Sequence, residues 1–210
     1  MSTYKNILDD ARIPLRDASG SRLIDAKLLQ LLNRVVIIAY RHAAKVFPDM
    51  FTETYSIPLT TTTGYGPYNL PADMESPVDI YDDRTQPKPL TKTSRSQALY
   101  TQSSMQPSEY WLEGHSPFRC YFSTAPDQDR TYTLYYIPII ARVTDSAMEL
   151  PLPDLFFDML VEMLVKFAGS VDEYITSDED SFLTIITAAV DSILLELKPK
   201  IELELEGYGF

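Results

Sequence analysis

EYWLEGHSPFRCYFSTAPDQDRTYTLYYI, residues Glu109 to Ile137, holds three short runs rich in aromatic and β-branched residues: Tyr110 to Leu112, Phe118 to Phe122 and Tyr132 to Ile137. Gly114 with Pro117 separates the first two runs, and Ala125-Pro126-Asp127-Gln128-Asp129 separates the last two. Such spacing predicts antiparallel strands joined by turns, a β-meander. In the last run Tyr132, Leu134 and Tyr136 share one face and Thr131, Thr133 and Tyr135 the other, so one face is apolar enough to pack.

Outward from this block the pattern stays strand-like as far back as Thr52. Thr54 to Thr62, Tyr68 to Leu70 and Val78 to Tyr81 read as strands, and Pro71 closes the second, since proline is tolerated at strand ends but not in a central ladder. Lys88 to Met105 is polar and reads as a long loop or a helical turn with Leu99 and Tyr100 turned inward. Pro138 ends or kinks the last strand.

On both sides the period changes to that of a helix. Tyr4 to Ile13 predicts a short helix stopped by Pro14, and the turn Asp17-Ala18-Ser19-Gly20-Ser21 offers hydroxyls for an N-cap. Leu28, Leu31, Leu32, Val35, Ile38 and Ala39 keep the helical period within Leu23 to Phe47, which Pro48 closes. Lys27, Arg34 and Arg41 recur at heptad spacing on that helix, with Lys45 one turn on, and form a basic stripe. After Leu150-Pro151-Leu152-Pro153 the chain returns to helix, with Asp154 at the start favouring the dipole. Asp158, Glu162 and Lys166 draw one narrow polar stripe along Leu155 to Ala168, so that helix is buried on most sides. Ser177 to Asp180 caps a last helix, Ser181 to Leu197, with Phe182, Ile185, Ile186, Ala189, Ile193 and Leu197 as its apolar face. Beyond Pro199, KIELELE alternates strictly, a strand pattern outside the helices.

The fold expected is therefore α+β: residues 1–50 and 146–199 as one helical bundle, 51–145 as an inserted, mostly antiparallel β domain, and 200–210 as an extended tail. With 210 residues, 45% of them hydrophobic, the chain can bury roughly 70–75% of its unfolded surface. Net charge is −12, unevenly spread: residues 1–145 hold 16 acids and 15 bases, residues 146–210 hold 14 acids and 3 bases. That sign repels nucleic acid. A single cysteine, Cys120, within an expected strand, allows no internal disulfide and fits a core role in a reducing compartment. The opening MSTYKNILDDAR is too polar for a signal peptide, and no apolar stretch reaches the length of a membrane span.

The motifs of chemistry are missing from the sequence. Gly64-Tyr65-Gly66 lacks the strand-turn-helix setting of a phosphate loop. His42 and His115 have no second ligand at metal spacing, and the acid clusters Asp82-Asp83, Asp127 with Asp129, and Asp178 to Asp180 suit turns and a helix start, not a calcium loop. No cofactor, metal or catalytic residue is expected, and the reading is of a non-enzymatic protein.

The pattern Ile7-Leu8, Ala11-Arg12, Leu15, Asp17, Arg22, Asp25, Leu28-Leu29 and Leu32-Asn33 resembles the opening of the head-to-tail adaptor proteins of tailed bacteriophages. Tyr68-x-Leu70-Pro71-x-Asp73, the Glu113-Gly114 and Ala125-Pro126-Asp127 turns, and Tyr132-x-Leu134-x-Tyr136 are similar to the β insertion of those proteins, and the acidic helix after the prolines to their returning helices. The resemblance spans nearly the whole chain. It implies a structural virion protein that forms a ring, a dodecamer, in the neck beneath the portal and offers a surface to the tail or nozzle protein. DNA would pass through only as cargo, the membrane would play no part, and the protein would sit in the host cytoplasm during assembly. The assembly contacts to expect are the stripe Lys27, Arg34, Arg41 and the tail residues Ile201, Leu203, Leu205, Tyr208 and Phe210. A tail-completion or tail-tube component is the alternative within the virion, and a soluble ligand-binding or regulatory α+β module the alternative outside it.

Overall fold

The computed structural model describes residues 2–17, 20, 23–84, 86–98, 106–114, 117–172 and 183–195. Its elements are helices and antiparallel or mixed sheets, an α+β fold in two compact units: the segments up to Phe47 and from Ile140 onward form one, Pro48–Ile139 the other.

In the helical unit, α1 (Tyr4–Arg12) starts at Thr3, whose hydroxyl accepts from the Asn6 amide at 3.3 Å, and buries Tyr4, Ile7, Leu8 and Ala11 at helical spacing. Helix α2 (Asp25–Val46) buries Leu28, Leu29, Leu32, Val35, Val36, Ala39, Tyr40, Ala43 and Ala44, a stripe wider than the expected one, while Ile38 stays half-buried. The expected hydroxyl cap is not used: its N-cap is Ile24, which has no side-chain oxygen, and the acid favouring the dipole is Asp25 in the first turn. A 3₁₀ turn, Asp154–Phe156, leads into a long helix, Phe157–Asp172, which packs on both α1 and α2. Asp158, Glu162 and Lys166 are exposed along it, with Phe156, Met159, Leu160, Met163, Leu164, Phe167 and Ala168 buried, which is the narrow polar stripe read from the sequence. Full burial of each of the Leu, Met and Phe side chains contributes about 1.5–3 kcal/mol against exposure. Residues 183–195 form a further helix whose buried line is Ile186, Val190 and Leu194. The expected face is thus rotated: Ile185, Ala189 and Ile193 are half-buried flanks, because the buried line follows one i, i+4 row. Phe182, Leu197, Ser177 to Asp180 and Lys200 to Phe210 lie outside the described residues.

Two polar devices close this unit. The segment before α1 runs beside residues 146–150, with Tyr4 N donating to Met148 O at 3.1 Å, Leu150 N to Ser2 O at 3.0 Å, and Ser2 N to the Asp154 carboxylate at 2.9 Å. Asn33, buried in mid-helix, exchanges two bonds of 2.9 Å with the backbone of Val143, satisfying the returning chain as a β-ladder partner would.

The β unit has two sheets. One has the order β1 (Glu53–Leu59), β7 (Arg130–Pro138), β3 (Met74–Tyr81), all antiparallel; the other runs β2 (Tyr68–Asn69), β6 (Arg119–Phe122), β5 (Glu109–Glu113), β4 (Thr91–Lys92). They share one core: Ile57, Leu59, Ile80, Tyr132 and Leu134 from the first meet Tyr68, Tyr110, Cys120 and Phe122 from the second. Phe122 sits edge-on to Tyr68 at 5.6 Å and to Tyr132 at 5.5 Å, stitching the layers.

The three runs do not form the expected meander. β5 and β6 form a hairpin, but β7 crosses to the other sheet and is its central strand, hydrogen-bonded along both edges to β1 and β3. Both edges being taken, it has none left for β6, and the connector through Pro126 is long enough to change layers. The stretch Lys88 to Met105, expected as loop or helical turn, carries both β4, paired in parallel with β5, and the single turn α3 (Arg95–Ala98); Leu99 to Met105 lie outside the described residues.

Candidate assembly surfaces

Turns in the β unit account for several residues that sequence alone could have assigned to a site. Gly64 and Gly66 have φ of +63° and +119°, and a Cβ on Gly66 would lie 2.9 Å from the Cys120 carbonyl oxygen, so glycine is required there for close backbone approach. Tyr68 donates its hydroxyl to Gly64 O at 2.7 Å, and the motif is a clasped turn. Asp82 is buried; burial pushes its carboxyl up, but hydrogen bonds from Lys88 N, at 2.9 Å, and from Arg84 outweigh that and hold it below the usual carboxylate range. Arg130 spans Asp127 and Asp83, each at 3.1 Å. Cys120 is buried in β6, and burial pushes its thiol up, away from the reactive thiolate. Burial also pushes the hydroxyls of Tyr4, Tyr110 and Tyr132 up to about 12.

His42 Nε2 meets the Asp191 carboxylate at 2.7 Å, tying α2 to helix 183–195 as a surface link. His115 lies outside the described residues. No group of three metal-ligating side chains occurs among the described residues.

The charged stripe is laid out as its spacing implies: Lys27, Arg34, Arg41 and Lys45 are all exposed on α2. Residues 1–47 hold eight bases and four acids, residues 48–139 six bases and eleven acids, and residues 140–210 four bases and fifteen acids, so the excess of bases is confined to the N-terminal segment. Ile201, Leu203, Leu205, Tyr208 and Phe210 lie outside the described residues.

Two hollows on the β unit were not legible in the sequence. One, of about 290 Å³, has Trp111 stacked on Tyr121 at 5.2 Å beside Tyr65; its Glu113 carboxylate is already engaged by Trp111 Nε1 at 3.1 Å and Arg95 at 3.3 Å. The other, of about 280 Å³, lies on the outer face of the β1-β7-β3 sheet between Asp49, Thr52, Val78, Asp79, Tyr81 and Tyr135. Strand alternation in Val78 to Tyr81 signals the strand, but only the register puts Asp79 opposite Tyr135 and Tyr81 beside it, their rings perpendicular at 5.4 Å.

Among the described residues, Asp82, Asp83 and Asp127 are thus held in turns and His42 in a helix link, while other surfaces remain for contact. Comparison with curated proteins finds no match. The family model described as SU10 adaptor protein matches residues 2–197, a span that takes in both units. The chain belongs to the SU10 adaptor protein family, a family of phage head-to-tail adaptors.

Proposed function

We propose that this adaptor is a non-enzymatic subunit of a ring, twelve copies around, seated in the virion neck between the portal and the tail or nozzle protein. The observation that carries the reading is the family match across residues 2–197, which covers the helices and the inserted strands together. The organisation behind it is a helical bundle from residues 1–50 and 146–199, a β domain from 51–145, and a tail, 200–210, that reaches a neighbour. A ring needs two different faces on each subunit, and a chain with a basic N-terminal segment and an acidic β unit has the charge asymmetry such faces use. The acids of residues 146–210, lining a channel, would let DNA pass as cargo without adhering. Among the described residues no helix is long and apolar enough to cross a membrane. The test is native mass spectrometry of the chain alone and with the portal of the same phage, followed by imaging of the neck. A closed ring on the portal is expected; a chain that ignores the portal and stays monomeric would overturn the reading.

A further inference from the structure

We propose that the tyrosine-lined acidic hollow on the β unit is the socket for a basic side chain from the α2 stripe of the neighbouring copy, an inference that rests on the ring reading. Two carboxylates and two aromatic rings converge there: Asp49 from the 3₁₀ turn Pro48–Met50, Asp79 and Tyr81 from β3, and Tyr135 from β7. The β3 ladder slips its register between Pro77 and Asp79, a bulge that re-aims the strand so that Asp79 pairs across with Tyr135 on the outer face. Among the described residues neither Asp49 nor Asp79 has an ion-pair partner, whereas Asp82, Asp83 and Asp127 of the same unit all do. Tyr135 is 37% exposed, so part of its side chain is open to solvent.

Carboxylates beside an open aromatic face recognise a guanidinium or ammonium, which takes a charge pair from the acids and a cation–π contact from the ring. The cavity of about 280 Å³ admits a long side chain with its apolar stem. Charge picks the occupant. Residues 48–139 have an excess of five acids and residues 1–47 an excess of four bases, and the exposed stripe Lys27, Arg34, Arg41 and Lys45 presents its bases one or two turns apart. A contact of stripe to hollow joins two different patches, which is the heterologous kind that closes rings.

The experiment uses the full chain carrying Arg34→Lys and Arg41→Lys, so that every stripe position bears an amine, mixed as equal parts of ¹⁴N and ¹⁵N protein on the portal of the same phage. A zero-length carbodiimide then couples amines to touching carboxylates, and peptides joining the two isotopes are read by mass spectrometry. Isotope-mixed peptides linking Asp49 or Asp79 to a stripe lysine are expected, and Asp49→Asn with Asp79→Asn should weaken ring assembly about tenfold and flatten its salt dependence. A ring that forms without such peptides, or with coupling only inside one chain, or unweakened by the double variant, overturns the socket and leaves the ring reading standing. Monomers throughout overturn both.

Discussion

Substituting Asp17 by alanine should be among the most damaging single changes in the helical unit, because one carboxylate there serves two buried partners. Its side chain is 4% exposed, accepts from the Leu23 amide at 2.8 Å, and pairs with the Arg12 guanidinium at 3.3 Å. Arg12, itself 12% exposed, also donates to the carbonyls of Asp17 at 3.0 Å and Leu23 at 3.1 Å and pairs with Asp25. Gly20, at φ +66°, brings the loop close enough that a Cβ would lie 3.2 Å from the guanidinium. Asp17→Ala strands the Leu23 amide, costing about 1–3 kcal/mol, and removes the buried member of a charge pair, a change that costs about 3–5 kcal/mol when nothing replaces it. Asp25 remains to hold the cation in part, so the expected loss is about 3 kcal/mol. Asp25→Ala is the control: that carboxylate is 77% exposed, and such pairs are worth about 0–1 kcal/mol. Because two compact units need not unfold together, amide hydrogen exchange resolved by segment is the right assay, read at α1 and α2 during a urea series. Asp17→Asn should fall between the two alanine variants. If Asp17→Ala costs under about 1 kcal/mol, or no more than Asp25→Ala, the clamp is not what holds the α1–α2 turn.

Asp82 has a folded-state value below its unfolded one, so its contribution is present above the ordinary carboxylate range and lost as pH falls through the lowered value. An acid titration of β-unit stability should therefore steepen below about pH 4, and Asp82→Asn should flatten that step; an unchanged profile refutes it. Gly66→Ala forces a Cβ to within 2.9 Å of backbone at a φ of +119° and should destabilise the β unit by about 1–3 kcal/mol in chemical denaturation, where Gly64→Ala, whose Cβ meets only Ala125 at 3.9 Å, should cost less. Arg34→Glu with Arg41→Glu should leave the chain folded by circular dichroism yet reduce co-sedimentation with the portal; undiminished binding counts against the stripe as a contact. Truncation after Pro199 should preserve the fold and weaken portal binding, through loss of a strand added to a partner's sheet edge; binding as tight as the full chain's removes the tail as an anchor.

Local pattern carried a large share of this architecture. The 3.6 period set α2, and Asp158, Glu162 and Lys166 at i, i+4 marked the exposed line of the helix after Pro153, because side-chain direction along a helix follows from spacing alone. Runs of aromatic and β-branched residues between turns likewise located β1 and the three strands of Glu109 to Pro138, alternation found the second half of β3, and heptad spacing put Lys27, Arg34 and Arg41 on one exposed face. The sequence could not say which strand pairs with which: β7 reads as the third strand of a meander, yet its two hydrogen-bonding edges are taken by β1, more than 70 residues earlier, and β3. Nor could it show Asn33 bonding Val143, Arg12 gathering Asp17, Leu23 and Asp25, or Tyr135 meeting Tyr81 and Asp79. Periodicity is a property of neighbours along the chain, whereas edge pairing, buried polar satisfaction and the convergence of a pocket depend on which distant backbone groups compete successfully for the same donor or acceptor, and that competition is resolved only when the whole chain has packed.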